Sequence, residues 1–381
     1  MTETADITHL QDSAQRFVRP EVAPHLDAWE VAQEFPRSLY GRAADLGWLG
    51  MGYPEALGGT PASWKQRSTL TYTLARSSGS GGLMASLFSH NIGLPPLLNW
   101  GCAALQNEVI PSVLRGEKIA ALAITEPGGG TDVAALRTTA RLDGDSYIVD
   151  GEKVFITSGM RADWLTVAVR TDAENKGRSG ISMLVIPGDT PGISRSSLNK
   201  MGWHCSDTAH LRFDGVRVPA WFLIGEEGAG FKIIMTNFNA ERMSMGFMAL
   251  GFAECCYDEA LSWAKQRKTF GSALVEHQVV RHKLMDMKMR IESTRAWADA
   301  VAQRCDAGDE GADWVAQVCL LKNHATQTMQ FCADQGVQIL GGMGFMRGTA
   351  CERIYREVKV MMIGGGAEEI MKELASRQLG L

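Results

Sequence analysis

The chain has no strong excess of either charge. Its 38 Lys and Arg residues against 43 Asp and Glu give a formal net charge of -5. No long basic run is present, which argues against duplex DNA or RNA as a main partner. A polyanionic small ligand stays open, because a local group of Arg and Lys binds it whatever the net charge. Paired cysteine motifs are missing too. Cys102, Cys205, Cys255, Cys256, Cys305, Cys319, Cys332 and Cys351 form no C-x-x-C. Neither a metal site nor a disulfide framework is expected, and most of these thiols are expected to pack as small apolar groups. Residues 1–10 carry acids and no apolar h-region, and no apolar run is long enough to span a bilayer. The C-terminal Gln378-Leu379-Gly380-Leu381 is no evident address signal. A cytoplasmic protein with no membrane partner is expected. Internal repeats and low-complexity tracts are absent. What is present is ordinary globular composition, 45% hydrophobic and 21% charged, over 381 residues. That length allows two or three domains and a large core.

The texture changes twice along the chain. Residues 1–120 read as helical: Leu10, Ala14, Phe17 and Val18 recur at helical spacing, broken by Pro20 and Pro24. Pro36 could open a helix toward Gly47, and the apolar stretch from Met84 to Trp100 is expected to cross a domain interior. Residues 121–225 read as a small antiparallel β-domain. There Asp143-Gly144 and Asp150-Gly151 predict two hairpin turns between runs such as Tyr147-Ile148-Val149 and Val154-Phe155-Ile156-Thr157. Further strands are expected over 165–169, 181–186 and 210–218. After Gly228-Ala229-Gly230 the pattern is helical again, with long segments near 231–266, 277–307, 310–340 and 366–377, which predicts a four-helix bundle for 226–381. The expected fold class is α+β, in the order helical domain, β-domain, bundle.

Glu241 is the position richest in chemical meaning. It falls on the helical stripe of Phe238, Met245, Met248 and Phe252, where a carboxylate is desolvated and its pKa raised toward that of a base competent at neutral pH. The plainer reading is an ion pair with Arg242. The run Thr125-Glu126-Pro127-Gly128-Gly129-Gly130-Thr131-Asp132 could bring backbone N–H groups close to phosphate or ring oxygens, or be a flexible turn. It is no Walker loop, since the Gly-Lys-Ser/Thr ending is missing. Lys153-Val154-Phe155-Ile156-Thr157 ends a strand with an aromatic ring and a hydroxyl, suited to a planar ligand or to simple core packing. Arg267 in Gln266-Arg267-Lys268-Thr269-Phe270-Gly271 could pair with pyrophosphate or serve as a helix C-terminal charge. Two glycine clusters remain. One follows Gln338, with Gly341, Gly342 and Gly344; the other is Gly364-Gly365-Gly366, before Glu368 and Glu369, whose acids suit a helix N-terminus without any function.

Each signal is weak alone. Their joint order and spacing resembles the acyl-CoA dehydrogenase family over essentially the whole chain. The resemblance implies bound FAD, with the flavin between β-domain and bundle. It implies that Thr125, Gly130, Thr131, Phe155, Ile156 and Thr157 line the ring, and that Ala367 and Glu369 lie beside it. Arg267, Thr269, Phe270, Gln278, Gln338, Gly341 and Gly342 would meet the adenosine and pyrophosphate of a neighbouring subunit's cofactor. A shared cofactor implies an obligate oligomer, a tetramer built as a dimer of dimers. Thr131, Asn239 and Arg242 would face the acyl-CoA. Many family members carry their catalytic glutamate where this chain has Gly365; Glu241 occupies the position used by isovaleryl- and long-chain acyl-CoA dehydrogenases. The implied activity is α,β-dehydrogenation to a trans-2-enoyl-CoA. Glu241 would be the base, the Gly365 N–H would polarise the thioester carbonyl, and electrons would pass to an electron-transfer flavoprotein. The alternatives are an acyl-CoA oxidase, a flavin monooxygenase on the same fold, or a non-catalytic CoA-binding scaffold. A nitroalkane oxidase is disfavoured by the glycine at 365.

Overall fold

The structure, a computed structural model, describes residues 3–172, 174–175 and 177–381. Eight helices come first: α1 (Glu3–Glu21), α2 (Leu26–Ala32), α3 (Ser38–Asp45), α4 (Trp64–Ser78), α5 (Gly81–Leu87), α6 (His90–Gly93), α7 (Pro95–Trp100) and α8 (Ala103–Leu114). Local chemistry sets their ends. Ser63 caps α4 by accepting from Gln66 N while the Gln66 side chain accepts from Ser63 N, and the helix stops at left-handed Gly79. Ser80 at once caps α5 through Leu83 N. Such caps are each worth about 1 kcal/mol.

The sheet follows: β1 (Ala120–Ala123), β2 (Thr139–Asp143), β3 (Ser146–Thr157), β4 (Trp164–Arg170), β5 (Ile181–Pro187), β6 (Ile193–Ser197), β7 (Thr208–Pro219) and β8 (Leu223–Ile224). Strand order is β6-β7-β3-β2-β4-β5-β8, with β1 on β4. Most pairs are antiparallel, but β1 runs parallel to β4, so the sheet is mixed rather than wholly antiparallel. Of the two expected Asp-Gly turns, Asp143-Gly144 does join β2 to β3, with Asp143 opposite Ser146. Asp150-Gly151 does not turn. It lies inside β3, where the register to β7 slips between Val149 and Gly151. Gly151, at φ 143, lies against Thr138, whose Cα would sit 2.7 Å from a Cβ there. The glycine serves a bulge and a close backbone approach, a use it shares with hairpin turns.

Then come α9 (Gly230–Gln266), the hairpin β9 (Lys268–Thr269) and β10 (Ser272–Ala273), α10 (Gln278–Asp306), α11 (Ala312–Leu340), α12 (Ala350–Ile363) and α13 (Glu368–Gln378). The four long segments read from the sequence are α9, α10, α11 and α13; α12 is an additional helix. Glu259 of α9 accepts from Ala350 N and Cys351 N, and Thr349 accepts from Glu352 N, so the start of α12 is fully capped. Its buried Arg353 donates to Gly79 O at the end of α4, and its buried Glu357 accepts from Gly81 N at the start of α5. Each charge meets the helix end of opposite partial charge.

The apolar cores cross the sequence segments. One contains Phe17, Trp48 and Leu74 together with Phe252, Ile291 and Ile354. Another joins Leu97 and Ile110 to the sheet interior and to Ile233 and Ile234 at the start of α9. Among the described residues no helix is long and apolar enough to cross a membrane, and no group of His, Cys, Asp and Glu is placed to hold a metal.

Candidate active site

The 37-residue α9 begins against the sheet and ends in the helical layer, which is why it is apolar on several faces. Glu241 sits between these two environments. Its Oε2 is out of contact with solvent and has no hydrogen-bond partner among the described residues. Desolvation raises the carboxyl from 4.5 to about 6, against the opposing pull of Arg242 and Lys322. The ion pair with Arg242 does not form. Arg242, almost fully buried, donates through Nε to Gly365 O (2.9 Å) and through Nη1 to Asn239 Oδ1 (3.3 Å).

Residues 364–366 form a loop over this turn of α9. Gly365 has φ +66 and Gly366 φ +116, conformations that favour glycine. A Cβ built on Gly365 would stand 3.7 Å from Glu241 Oε1 and 3.0 Å from Met245 Sδ. The Gly365 N–H meets no acceptor among the described residues. Position 241 and position 365, far apart in sequence, are therefore neighbours in space, and each carries a polar group without a partner among the described residues, Oε2 of Glu241 and the N–H of Gly365. Ala367 precedes α13 directly. Glu369 is exposed in its first turn, and Glu368 is taken up by Lys372 and Gln327.

The β-domain contributes a second group. Lys153, with no exposed surface, donates to Ile124 O (2.9 Å) and to Glu126 Oε1 (2.7 Å). Glu126 also accepts from Arg137 N and Thr138 N, and Val154 N donates to Thr125 O. These bonds tie the Thr125 segment to β3. Glu126 N and Gly129 O, and Gly129 N and Glu126 O, close a tight turn that leaves Gly128, Gly130 and Thr131 exposed. On β3, Ile156 is buried and Thr157 half-buried, but Phe155 is 67% exposed with φ +62, at the slip in register between Lys153 and Ile156. A bare aromatic ring held in left-handed backbone is strained and has no packing reason to be there. It suits the face of a planar cofactor, so these residues fit a flavin.

Arg267, Thr269, Phe270 and Gln278 lie elsewhere. Arg267 is 26 residues beyond Glu241, about 39 Å along α9 at 1.5 Å per residue. Phe270 is fully exposed with φ +52 at the tip of the β9–β10 hairpin. Gln338, Gly341 and Gly342 come to the same end: a cavity of about 220 Å³ is lined by Trp263 and Gln266 from α9 and by Leu340 and Met343. Within one subunit the sequence-derived residues fall into three sets: Glu241 with Gly365, the β3 edge with the Thr125 loop, and Arg267 with Gln338 at the far end of α9. Lys153, Glu126 and Lys322 were not singled out as site residues. Lys322 carries the same signal as Glu241, a charge on an apolar stripe, here Val318, Leu321 and Ala325.

Comparison with known proteins bears on this arrangement. The acyl-CoA dehydrogenase N-terminal, middle and C-terminal domain families match residues 4–117, 121–216 and 228–380. The chain is 33% identical over 379 residues to a cyclohexane-1-carbonyl-CoA dehydrogenase of Geobacter metallireducens, covering 98% of this chain and 97% of that one. It is 33% identical over 378 residues to the mitochondrial long-chain specific acyl-CoA dehydrogenase of Rattus norvegicus, covering 97% and 85%. A crystal structure of a probable acyl-CoA dehydrogenase from Mycobacterium abscessus superposes with TM-score 0.95 at 43% identity, covering 100% of both chains. The chain belongs to the acyl-CoA dehydrogenase family of FAD-dependent oxidoreductases.

Proposed function

We propose that this protein oxidises an acyl-CoA thioester to the trans-2-enoyl-CoA with Glu241 as the base, and that its electrons pass to an electron-transfer flavoprotein. The observation that carries this reading is the unpartnered, solvent-free Oε2 of Glu241 beside the Gly365 loop. A carboxylate oxygen held away from solvent with no partner is costly to keep unless it has a chemical use. With its carboxyl near 6 it is mostly ionised at neutral pH, yet basic enough to take a proton. The α-hydrogen of a thioester becomes removable only if charge developing on the carbonyl oxygen is stabilised. The free Gly365 N–H is a donor of the kind that does this. Arg242 holds Gly365 from its carbonyl side and so keeps that N–H in place. Bound FAD supplies the acceptor for the β-hydrogen, which leaves as hydride. Phe155 and Thr157 would meet the ring, with Thr125, Gly130, Thr131 and Ile156 around it and Ala367 and Glu369 near its edge. Thr131, Asn239 and Arg242 would border the CoA thioester.

The Arg267 and Gln338 set supports an oligomer, which we take to be a tetramer. Arg267 is too far along α9 to serve the cofactor beside its own Glu241, and the exposed Phe270, Phe345, Met285 and Met289 leave apolar surface uncovered in a single chain. The test of the activity is anaerobic bleaching of FAD-loaded protein by butyryl-, isobutyryl-, palmitoyl- and cyclohexane-1-carbonyl-CoA. Bleaching by at least one, with the enoyl-CoA as product, is expected. A flavin that none of these or a wider thioester set reduces refutes the proposal.

A further inference from the structure

Lys322, on α11, has no exposed surface and no carboxylate within ion-pair distance among the described residues. Its Nζ donates to Met362 O (2.9 Å), near the end of α12, and to Gly366 O (2.8 Å), on the far side of the glycine loop. One ammonium therefore bridges the two ends of the segment that presents Gly365. The neighbouring Asn323 donates to Glu368 O (2.9 Å), so consecutive residues of α11 hold the loop and the start of α13. Placing an ammonium in the interior costs several kcal/mol, and two carbonyls could be met by a neutral donor. The charge itself therefore calls for an explanation, and the charged groups around it supply one. Arg242 of α9 acts on it most strongly but is engaged on Gly365 O, Glu241 of α9 lies against the same glycine loop that Lys322 holds, Glu368 on α13 is already paired with Lys372, and Cys319 shares α11.

We propose that Lys322 is a positioning residue for the acyl-CoA chemistry: it clamps the 364–366 loop so that the Gly365 N–H keeps its place, and it is the buried cation on α11 that favours the ionised form of Glu241. This rests on the reading of Glu241 as base. Burial and the nearby Arg242 bring the Lys322 ammonium down to about 8, so it is charged throughout the range in which Glu241 titrates. Removing it raises the Glu241 carboxyl further above its ordinary value, because the cation was opposing desolvation. A base works when deprotonated, so the acid limb of the rate profile must move to higher pH.

Two variants separate the clamp from the charge. Lys322→Met removes both. Lys322→Gln keeps a donor for the carbonyls but no charge. Two measurements on FAD-loaded protein read them: the pH profile of flavin reduction by whichever thioester bleaches wild type fastest, and an infrared titration of the Glu241 carboxyl, isolated by subtracting Glu241→Gln. The acid limb and the infrared midpoint are expected to move to higher pH in both variants. Above the limb, Lys322→Met should lose about 10²-fold in reduction rate, as expected for a misplaced donor, and Lys322→Gln clearly less. An unmoved limb and midpoint in a folded, flavin-retaining variant overturns the proposal. So does failure of both variants to fold, which would assign Lys322 to stability alone. If Glu241→Gln reduces flavin as fast as wild type, the base assignment fails, while the infrared midpoint still decides whether Lys322 tunes that carboxyl.

Discussion

Glu241→Gln is the sharpest perturbation available, because the amide keeps the shape of the side chain and removes its proton affinity. The effect on chemistry follows from the surroundings. A general base contributes about 10²–10⁴-fold, and Oε2 here is out of contact with solvent and has no hydrogen-bond partner among the described residues. No side chain among the described residues is hydrogen-bonded to Oε2 to take over the proton, so the loss should lie toward the upper end, near 10⁴-fold. Wild-type reduction should rise with pH through about 6 and then level off, following the carboxyl; the variant should show a small, flat residual rate. Stability should move the other way. A carboxyl raised from 4.5 to about 6 by folding binds its proton more tightly in the native state, so native stability falls as pH rises between those values and stays lower above them. The difference is about 2 kcal/mol. The amide escapes it, so the variant should be more stable than wild type at neutral pH and lose that advantage below pH 4.5. Stopped-flow bleaching and denaturant unfolding at several pH values measure the two effects. A variant that reduces flavin at the wild-type rate refutes the assignment outright; one that is slow but no more stable at pH 7 shows that the carboxyl is not desolvated in the native state.

Glu241→Gly combined with Gly365→Glu moves the carboxylate to the neighbouring position. Left-handed backbone at Gly365 costs a side chain about 1–2 kcal/mol, and Met245 Sδ must yield, so partial recovery over Glu241→Gly is expected and Met245→Ala should improve it. No gain in a triple variant that still holds flavin would show that the two positions face different atoms. Lys153→Met should lower stability by about 3–5 kcal/mol, because it strands the buried Glu126; a thermal melt close to wild type contradicts that. Arg267 is exposed with no side-chain partner among the described residues, so Arg267→Ala should leave unfolding unchanged and weaken FAD retention, read by flavin fluorescence. Equal retention would remove Arg267 from the cofactor site.

How much was legible depended on whether a residue's role shows in its neighbours along the chain. Glu241 stood out because a carboxylate on an apolar stripe is anomalous whatever the fold. Lys322 is the same anomaly on α11, but its hydrogen-bond partners lie forty and more residues away, where no local pattern points to them. Helix α12 was missed because Glu352, Arg353, Arg356 and Glu357 break its apolar pattern. Two of these charges are buried, fastened to the ends of α4 and α5, so they sit where a sequence pattern expects apolar groups. Asp150-Gly151 was misread because a turn and a bulge ask the same residue type for unusual backbone. In the sequence the convergence of positions 241 and 365 shows only through the family resemblance; the geometry that supports it, Gly365 at φ +66 over Met245, is visible only in three dimensions.

The fastening of α12 to α4 and α5 also bears on how the chain is made. During synthesis the first helices leave the ribosome long before residues 350–363 exist. Until then the carbonyl of Gly79 and the N–H of Gly81 lack their ionic partners, and Phe17, Trp48 and Leu74 lack the apolar surface of Phe252, Ile291 and Ile354. The N-terminal helices cannot complete their packing as they emerge. Through most of translation they keep bare the apolar surface that the later helices cover in the finished fold, the condition under which a partly made chain is most prone to associate with others.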